Sequence, residues 1–300
     1  MHCHPPPASV LRVTRPVDAV IEFLAAEQAR GVTHVLLDEE ARESMRELHF
    51  KIRDGRNAPR KAAVAMVSPE PIPEPAAPVP APVPTSVRSE GGTKQERLAS
   101  LRKQAESWAP ARSLGTLRET MVFATGSPDA KLMLVGEAPG HEEERKGEPF
   151  VGPAGKKLND ILKAMGLTRQ EVYLSSIVKF RPATARQTTN NRKPSAEEIA
   201  ACLPFIREEI AIVRPACIVA LGATAAEGLL GLSDTIGEIR GAWHESDGIP
   251  VCVTWHPSYL LQSNADVSIK RQLWEDMLSV MEKLQIPISA KQRGFFLPKA

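Results

Sequence analysis

At 300 residues the chain has room for two domains at roughly one to two hundred residues each. A hydrophobic fraction of 42% supports a real core and excludes a wholly disordered protein. With 38 basic against 36 acidic side chains the net charge is +2, so any argument for a nucleic-acid partner must rest on local clusters. Four cysteines exclude a disulfide-built scaffold and fit a reducing compartment. No run approaches the roughly 18 apolar residues of a membrane span. The opening Met1-His2-Cys3-His4-Pro5-Pro6-Pro7 lacks the apolar stretch of a secretion signal. These features predict a soluble, cytoplasmic, monomeric protein.

The first 60 residues have helical spacing over 17–30, a strand-like run over 33–37 and a second helical run over 39–48. They predict a small N-terminal α/β segment, with no chemistry legible in it. His2-Cys3-His4 places three possible metal ligands side by side at a chain end, a pattern that is more often incidental than a site. Eight prolines then fall between Pro69 and Pro84, interleaved with Ala, Val and Glu. Proline removes backbone donors and fixes φ, so residues 61–95 read as an extended, disordered linker able to present a surface to a protein partner.

From about residue 96 to 290 the pattern alternates, and 291–300 reads as a tail. Short apolar runs at 132–135, 172–175, 218–221 and 251–254 have the composition of buried parallel strands. Helical stretches at 156–165, 196–213, 223–230 and 269–284 separate them. Alternating strands and helices imply an α/β three-layer sandwich around a short central parallel sheet with right-handed crossovers. Ligands in such sheets bind beyond the carboxyl ends of the strands, so the loops that follow these runs are where chemistry is expected.

The first of those loops runs Gly136-Glu137-Ala138-Pro139-Gly140, then His141-Glu142-Glu143-Glu144, then Gly147-Glu148-Pro149-Phe150-Val151-Gly152-Pro153-Ala154-Gly155. Eight of these 20 residues are glycine or proline, a composition for tight turns and close backbone approach to a ligand. Neither a Walker loop nor a G-x-G-x-x-G fingerprint is present. The acids Glu137, Glu142, Glu143 and Glu144 suit a water or a cationic intermediate better than a phosphate. The last strand ends in Thr254-Trp255-His256-Pro257-Ser258-Tyr259-Leu260-Leu261, a histidine, a rigid turn and an apolar tip at the same sheet edge.

Residues 117–285 resemble the uracil-DNA glycosylase superfamily, closest to its family 4. The glycine-rich segment from Gly136 to Gly155 looks like that family's first motif and His256-Pro257-Ser258-Tyr259-Leu260-Leu261 like its second. Ala220-Leu221-Gly222-Ala223-Thr224-Ala225-Ala226 is similar to the segment between. The resemblance implies a base-excision repair enzyme that flips a deaminated base from DNA and hydrolyses its glycosidic bond, leaving an abasic site. It implies a substrate pocket from Gly136, Ala138, Pro139, Gly140 and Phe150, with Phe150 as the flat face for the base. His256 would donate to the pyrimidine O2 as negative charge spreads there. Glu137 and Glu143 would orient water and stabilise the sugar cation. Pro257, Ser258, Tyr259 and Leu260 would press on the strand and fill the gap left by the base. Lys179, Arg181, Arg186, Arg192 and Lys193 give five basic residues and no acid in 15 positions, an expected phosphate-contacting loop.

Three departures from the family bear on function. Family 4 members hold a [4Fe–4S] cluster on four cysteines. Aligned on Leu114, Arg118 and Val122-Phe123, three of those places are Ala109, Arg112 and Phe180, and only Cys202 matches. One thiolate cannot hold such a cluster, so the expectation is no metal and no cofactor. Where the family reads the uracil edge with an asparagine, Ser176 stands here, offering one short hydroxyl in place of a rigid donor–acceptor pair. The loop between Phe180 and Cys202 is long, like that of relatives which trap uracil covalently through a histidine. Asn191 occupies that place, so no cross-link is expected. The leading expectation is a glycosylase acting on uracil or a related base. The alternative is a DNA-binding relative that keeps the pocket without efficient excision.

Overall fold

A computed structural model of the chain describes residues 87–261 and 267–297. The segment expected over residues 1–60, its His2-Cys3-His4 run and the proline-rich part of the spacer lie outside those residues.

Eight strands are described: β1 (Leu117–Met121), β2 (Thr125–Gly126), β3 (Leu132–Gly136), β4 (Tyr173–Ser176), β5 (Phe180–Pro182), β6 (Cys217–Leu221), β7 (Trp243–Ser246) and β8 (Ile249–Thr254). Nine helices accompany them: α1 (Lys94–Glu106), α2 (Ala109–Arg112), α3 (His141–Lys146), α4 (Pro153–Met165), α5 (Ala196–Val213), α6 (Ala223–Leu230), α7 (Ile236–Ile239), α8 (Val267–Lys283) and α9 (Ala290–Arg293). A 3-10 turn covers Pro257–Leu261.

The central sheet runs in the order β2-β4-β3-β6-β8-β7. Its inner strands β4, β3, β6 and β8 are parallel, and β2 and β7 close the edges antiparallel. β1 and β5 form a separate antiparallel pair. Side chains alternate across the pleat, which makes each apolar run serve two layers. Met133 and Val135 of β3 join one core with Phe205 and Ile206 of α5 and Ala225 of α6. Leu132 and Leu134 join the other with Leu158 and Leu162 of α4 and Met277 and Met281 of α8. The result is the expected three-layer sandwich, and α5 and α6 have the bounds expected from sequence. Leu158, wholly buried on α4, is the kind of position where truncation to alanine costs about 2–5 kcal/mol.

Two expected boundaries move. The folded body starts before residue 95: Val87 is buried, Ser89 hydrogen-bonds Glu208, and α1 begins at Lys94 behind a Thr93/Glu96 capping box. The segment expected as a tail is docked at its start, where Trp274 Nε1 donates to Gln292 O and Gln292 Nε2 donates to Ala164 O.

Candidate active site

The site grows from the carboxyl ends of β3, β4, β6 and β8. Gly136 ends β3 in register with Ser176, which ends β4, so the start of the glycine-rich loop and the expected base-edge residue are neighbours. Phe150 sits at φ +55°, an uncommon conformation for a residue with a side chain, and one of the kind that clusters at functional sites. Gly136 explains where its ring goes: a Cβ there would stand 2.5 Å from Phe150 Cζ, so only glycine admits the ring over the strand end. Arg169 fastens the same segment, donating to Phe150 O at 2.9 Å and Pro149 O at 2.8 Å and pairing with Glu148.

His256 follows β8 and faces Phe150, with ring centroids 6.3 Å apart and planes inclined by 32°. Gly222 lies behind it at φ +93°, where a Cβ would come 3.1 Å from that of His256. His256 Nδ1 lies 3.3 Å from the Ser258 backbone N–H and 2.8 Å from Ser258 Oγ. A backbone N–H can only donate, so Nδ1 is the acceptor and Nε2 carries the proton. Burial pushes the imidazole down to about 4, which keeps the ring neutral at physiological pH. His256 is therefore a neutral N–H donor.

Glu137 is part-buried after β3, and its Oε2 accepts a 2.7 Å hydrogen bond from Thr224 Oγ1 of α6. Burial raises its carboxyl above the ordinary value, and the Thr224 bond pulls in the opposite direction. Thr224 was no candidate from sequence, and the signal was slight: a hydroxyl in the first turn of a helix that follows a buried strand.

Several sequence-based assignments are corrected. Glu143 does not sit free to handle water. Its Oε1 accepts from Val151 N at 3.0 Å and Gly152 N at 2.7 Å, and its Oε2 from Gly140 N at 3.2 Å, which makes it the clamp that shapes the loop. Lys179 and Arg181 are not surface phosphate contacts, being 0% and 1% exposed. Lys179 pairs with Glu209 at 2.5 Å and donates to Ser175 Oγ and Ser176 O. Arg181 pairs with Glu144 and donates to Thr188 O, Asn190 O and Asn191 Oδ1, tethering the long loop to α3. Arg192 is spent on Glu198, Ala183 O and Thr116 O. Lys193 is exposed but paired with Glu227 at 2.9 Å, and Arg186 alone of the five is exposed with no ion pair among the described residues. In the second motif Pro257 is buried, Ser258 serves His256, and Leu260 packs partly into the core, so Tyr259 and Leu261 form the exposed tip. Trp255 braces that tip, 5.1 Å from the Tyr259 ring. Ala138 packs on the core and Pro139 is buried, leaving backbone at Gly136 and Gly140 to line the loop.

The residues at the expected cluster positions do not fit a cluster. The Arg112 guanidinium lies over the Phe180 ring at 4.6 Å and donates to Glu106 O and Glu119 O, so side chains fill that space. Cys202 is fully buried, and its thiol is pushed up to about 11. Cys217 and Cys252 belong to the other core. Among the described residues no group of His, Cys, Asp or Glu could hold a metal ion, and no helix is long and apolar enough to cross a membrane.

The rim of the parallel sheet thus carries Phe150 at positive φ with His256 facing it, and the part-buried Glu137 follows β3. The family model described as the uracil DNA glycosylase superfamily matches residues 123–278, more than half of the chain. The chain is 40% identical over 164 residues to a type-4 uracil-DNA glycosylase of Thermotoga maritima, covering 53% of this chain and 81% of that protein. It is 36% identical over 156 residues to the type-4 enzyme of Pyrobaculum aerophilum (49% and 76%), and 35% over 183 residues to that of Archaeoglobus fulgidus (58% and 85%). The chain belongs to the uracil-DNA glycosylase superfamily, within its family 4.

Proposed function

We propose that the chain, a DNA glycosylase by family, hydrolyses the N-glycosidic bond of uracil or a related deaminated base in DNA and leaves an abasic site. The observation that carries this reading is the pairing of Phe150 with a neutral, Nε2-protonated His256 across the sheet rim. A heterocycle sandwiched face-on between two rings needs about 7 Å, twice the usual contact distance. The 6.3 Å separation and the tilt therefore suit a base that stacks on Phe150 and meets His256 with its edge. Stacking of that kind contributes about 1–3 kcal/mol. As the C1′–N1 bond breaks, the electron pair leaves with the base, and the His256 N–H bonds to O2 where the charge gathers. A positioned donor of this type stabilises such a transition state by about 2.7–4 kcal/mol. Glu137 faces the cationic sugar and orients the water that adds to C1′, and the water's proton passes to the carboxylate and from there to the departed base anion or solvent. Ser176 meets the base edge, and Tyr259 with Leu261 holds the vacated stack.

The reaction in this proposal uses no metal or organic cofactor, and the Arg112–Phe180 stack takes the place of the cluster. Iron and sulfide analysis of anaerobically purified protein tests that part: neither is expected, and a stoichiometric cluster would overturn it. Excision is tested with single- and double-stranded oligonucleotides carrying uracil, hypoxanthine or xanthine, cleaved by alkali after incubation. Strand breaks on at least one, abolished by His256→Ala, are expected. Intact strands on all of them with binding retained would establish the non-excising relative instead, which the single hydroxyl of Ser176 favours.

A further inference from the structure

We propose that Thr224 is a positioning residue for Glu137, fixing which carboxylate oxygen is presented to the attacking water. The proposal rests on reading Glu137 as the water-handling carboxylate. Thr224 is the second residue of α6 and 4% exposed. A threonine in a helix's first turn ordinarily satisfies local backbone groups. This one donates instead to a carboxylate 87 residues away, at 2.7 Å. With Oε2 engaged by Thr224, Oε1 is the oxygen left for the attacking water. The N-terminus of α6, whose cap Gly222 contributes no side chain, places its positive end beside the same carboxylate.

The surroundings explain why such a device is needed. Burial favours the protonated acid, Glu227 on the next turn of α6 adds to that, and Lys193 from the long loop opposes it. Lys193 is itself held by Glu227 at 2.9 Å, so its help is shared. The Thr224 hydroxyl is the strongest of the influences that favour the charged form. A hydroxyl donor stabilises the carboxylate over the acid, so removing it shifts the Glu137 titration to higher pH. Where excision needs the carboxylate, its acid limb moves the same way.

Thr224→Val keeps the shape and deletes the donor, whereas Thr224→Ser keeps the donor. The valine variant should lose about 10- to 100-fold in kcat on a uracil oligonucleotide, the range expected for a hydrogen bond to a charged group. Its KM should stay near that of the parent, since the hydroxyl does not touch substrate, and the serine variant should recover most of the loss. Independently of activity, the carboxyl carbon of Glu137, assigned by its absence in Glu137→Gln, should titrate at higher pH in Thr224→Val and at the parental pH in Thr224→Ser. If the valine variant does not fold, Thr224→Ala takes its place in both measurements. A parental rate and titration in the hydroxyl-less variant, or a serine variant as impaired as valine, would overturn the proposal. Full activity of Glu137→Gln would instead remove the reading on which it rests, and the two failures are separable.

Discussion

The clearest separation of structure from chemistry lies in Glu143 and Glu137, two carboxylates of one loop. Glu143 accepts three backbone N–H bonds, from Gly140, Val151 and Gly152. In Glu143→Gln one amide oxygen can keep the Val151 and Gly152 bonds, without the charge that strengthens them. The NH2 group then opposes the Gly140 N–H, donor against donor. Leaving one part-buried N–H unsatisfied costs about 1–3 kcal/mol, and loss of charge assistance on the others brings the total to about 2–4 kcal/mol. For a domain of this size each kcal/mol lowers the melting temperature by about 2–4 °C, so a drop of about 4–16 °C is expected. Differential scanning calorimetry and single-turnover excision at 25 °C are the assays. Glu143→Gln should lose stability by that amount and less than about tenfold in rate, with an unchanged acid limb. Glu137→Gln should show the reverse, near-parental melting and a large loss of rate. A Glu143→Gln protein that melts within about 1 °C of its parent yet loses about a thousandfold in rate would refute the clamp and restore a catalytic role.

The other expectations concern individual groups. By NMR the His256 ring should be the Nε2–H tautomer at neutral pH and titrate near 4, and a midpoint near 6.5 would contradict its burial. Since the unfolded ring binds its proton near pH 6.5 and the folded one only near 4, this residue makes stability fall as pH drops between those values and adds no further loss below them. Ser176→Asn, at the end of β4 beside Gly136, should raise the preference for uracil over cytosine by about 1–3 kcal/mol in kcat/KM, and an unchanged ratio would mean that the base edge is read elsewhere. Lys179→Met breaks the buried pair with Glu209 and should cost about 3–5 kcal/mol of stability, whereas Arg186→Ala should leave melting unchanged and reduce the salt slope of DNA binding by about 1. The opposite assignment would return Lys179 to the DNA surface.

The inner strands and the long helices were legible because buried parallel strands read as unbroken apolar runs and helices repeat at 3.6 residues. Ala196–Val213 also carries its own start signal, Ser195 with Glu198. The edge elements were not legible. β2 is two residues long, and β1 has three exposed positions in five, so neither has the apolar run that marks a strand. The basic loop misled for a related reason. Counting charge along 179–193 cannot show that Lys179 and Arg181, two apart, both turn inward, where Glu209 and Glu144 of distant elements neutralise them. Motif order pointed to Phe150 and His256, whose ring centroids lie 6.3 Å apart, but that Glu143 clamps the loop depends on which backbone amides it can reach. Arg169 and Thr224 act through contacts 19 and 87 residues away in sequence, and no local pattern announces them.

In the proposed complex an everted base rests on Phe150 with its edge at His256. A crystal structure of Glu137→Gln bound to a uracil-containing oligonucleotide tests it most directly. The uracil ring should lie parallel to Phe150 with its O2 about 2.9 Å from His256 Nε2. A uracil still stacked in its strand, or bound where it touches neither ring, would contradict it.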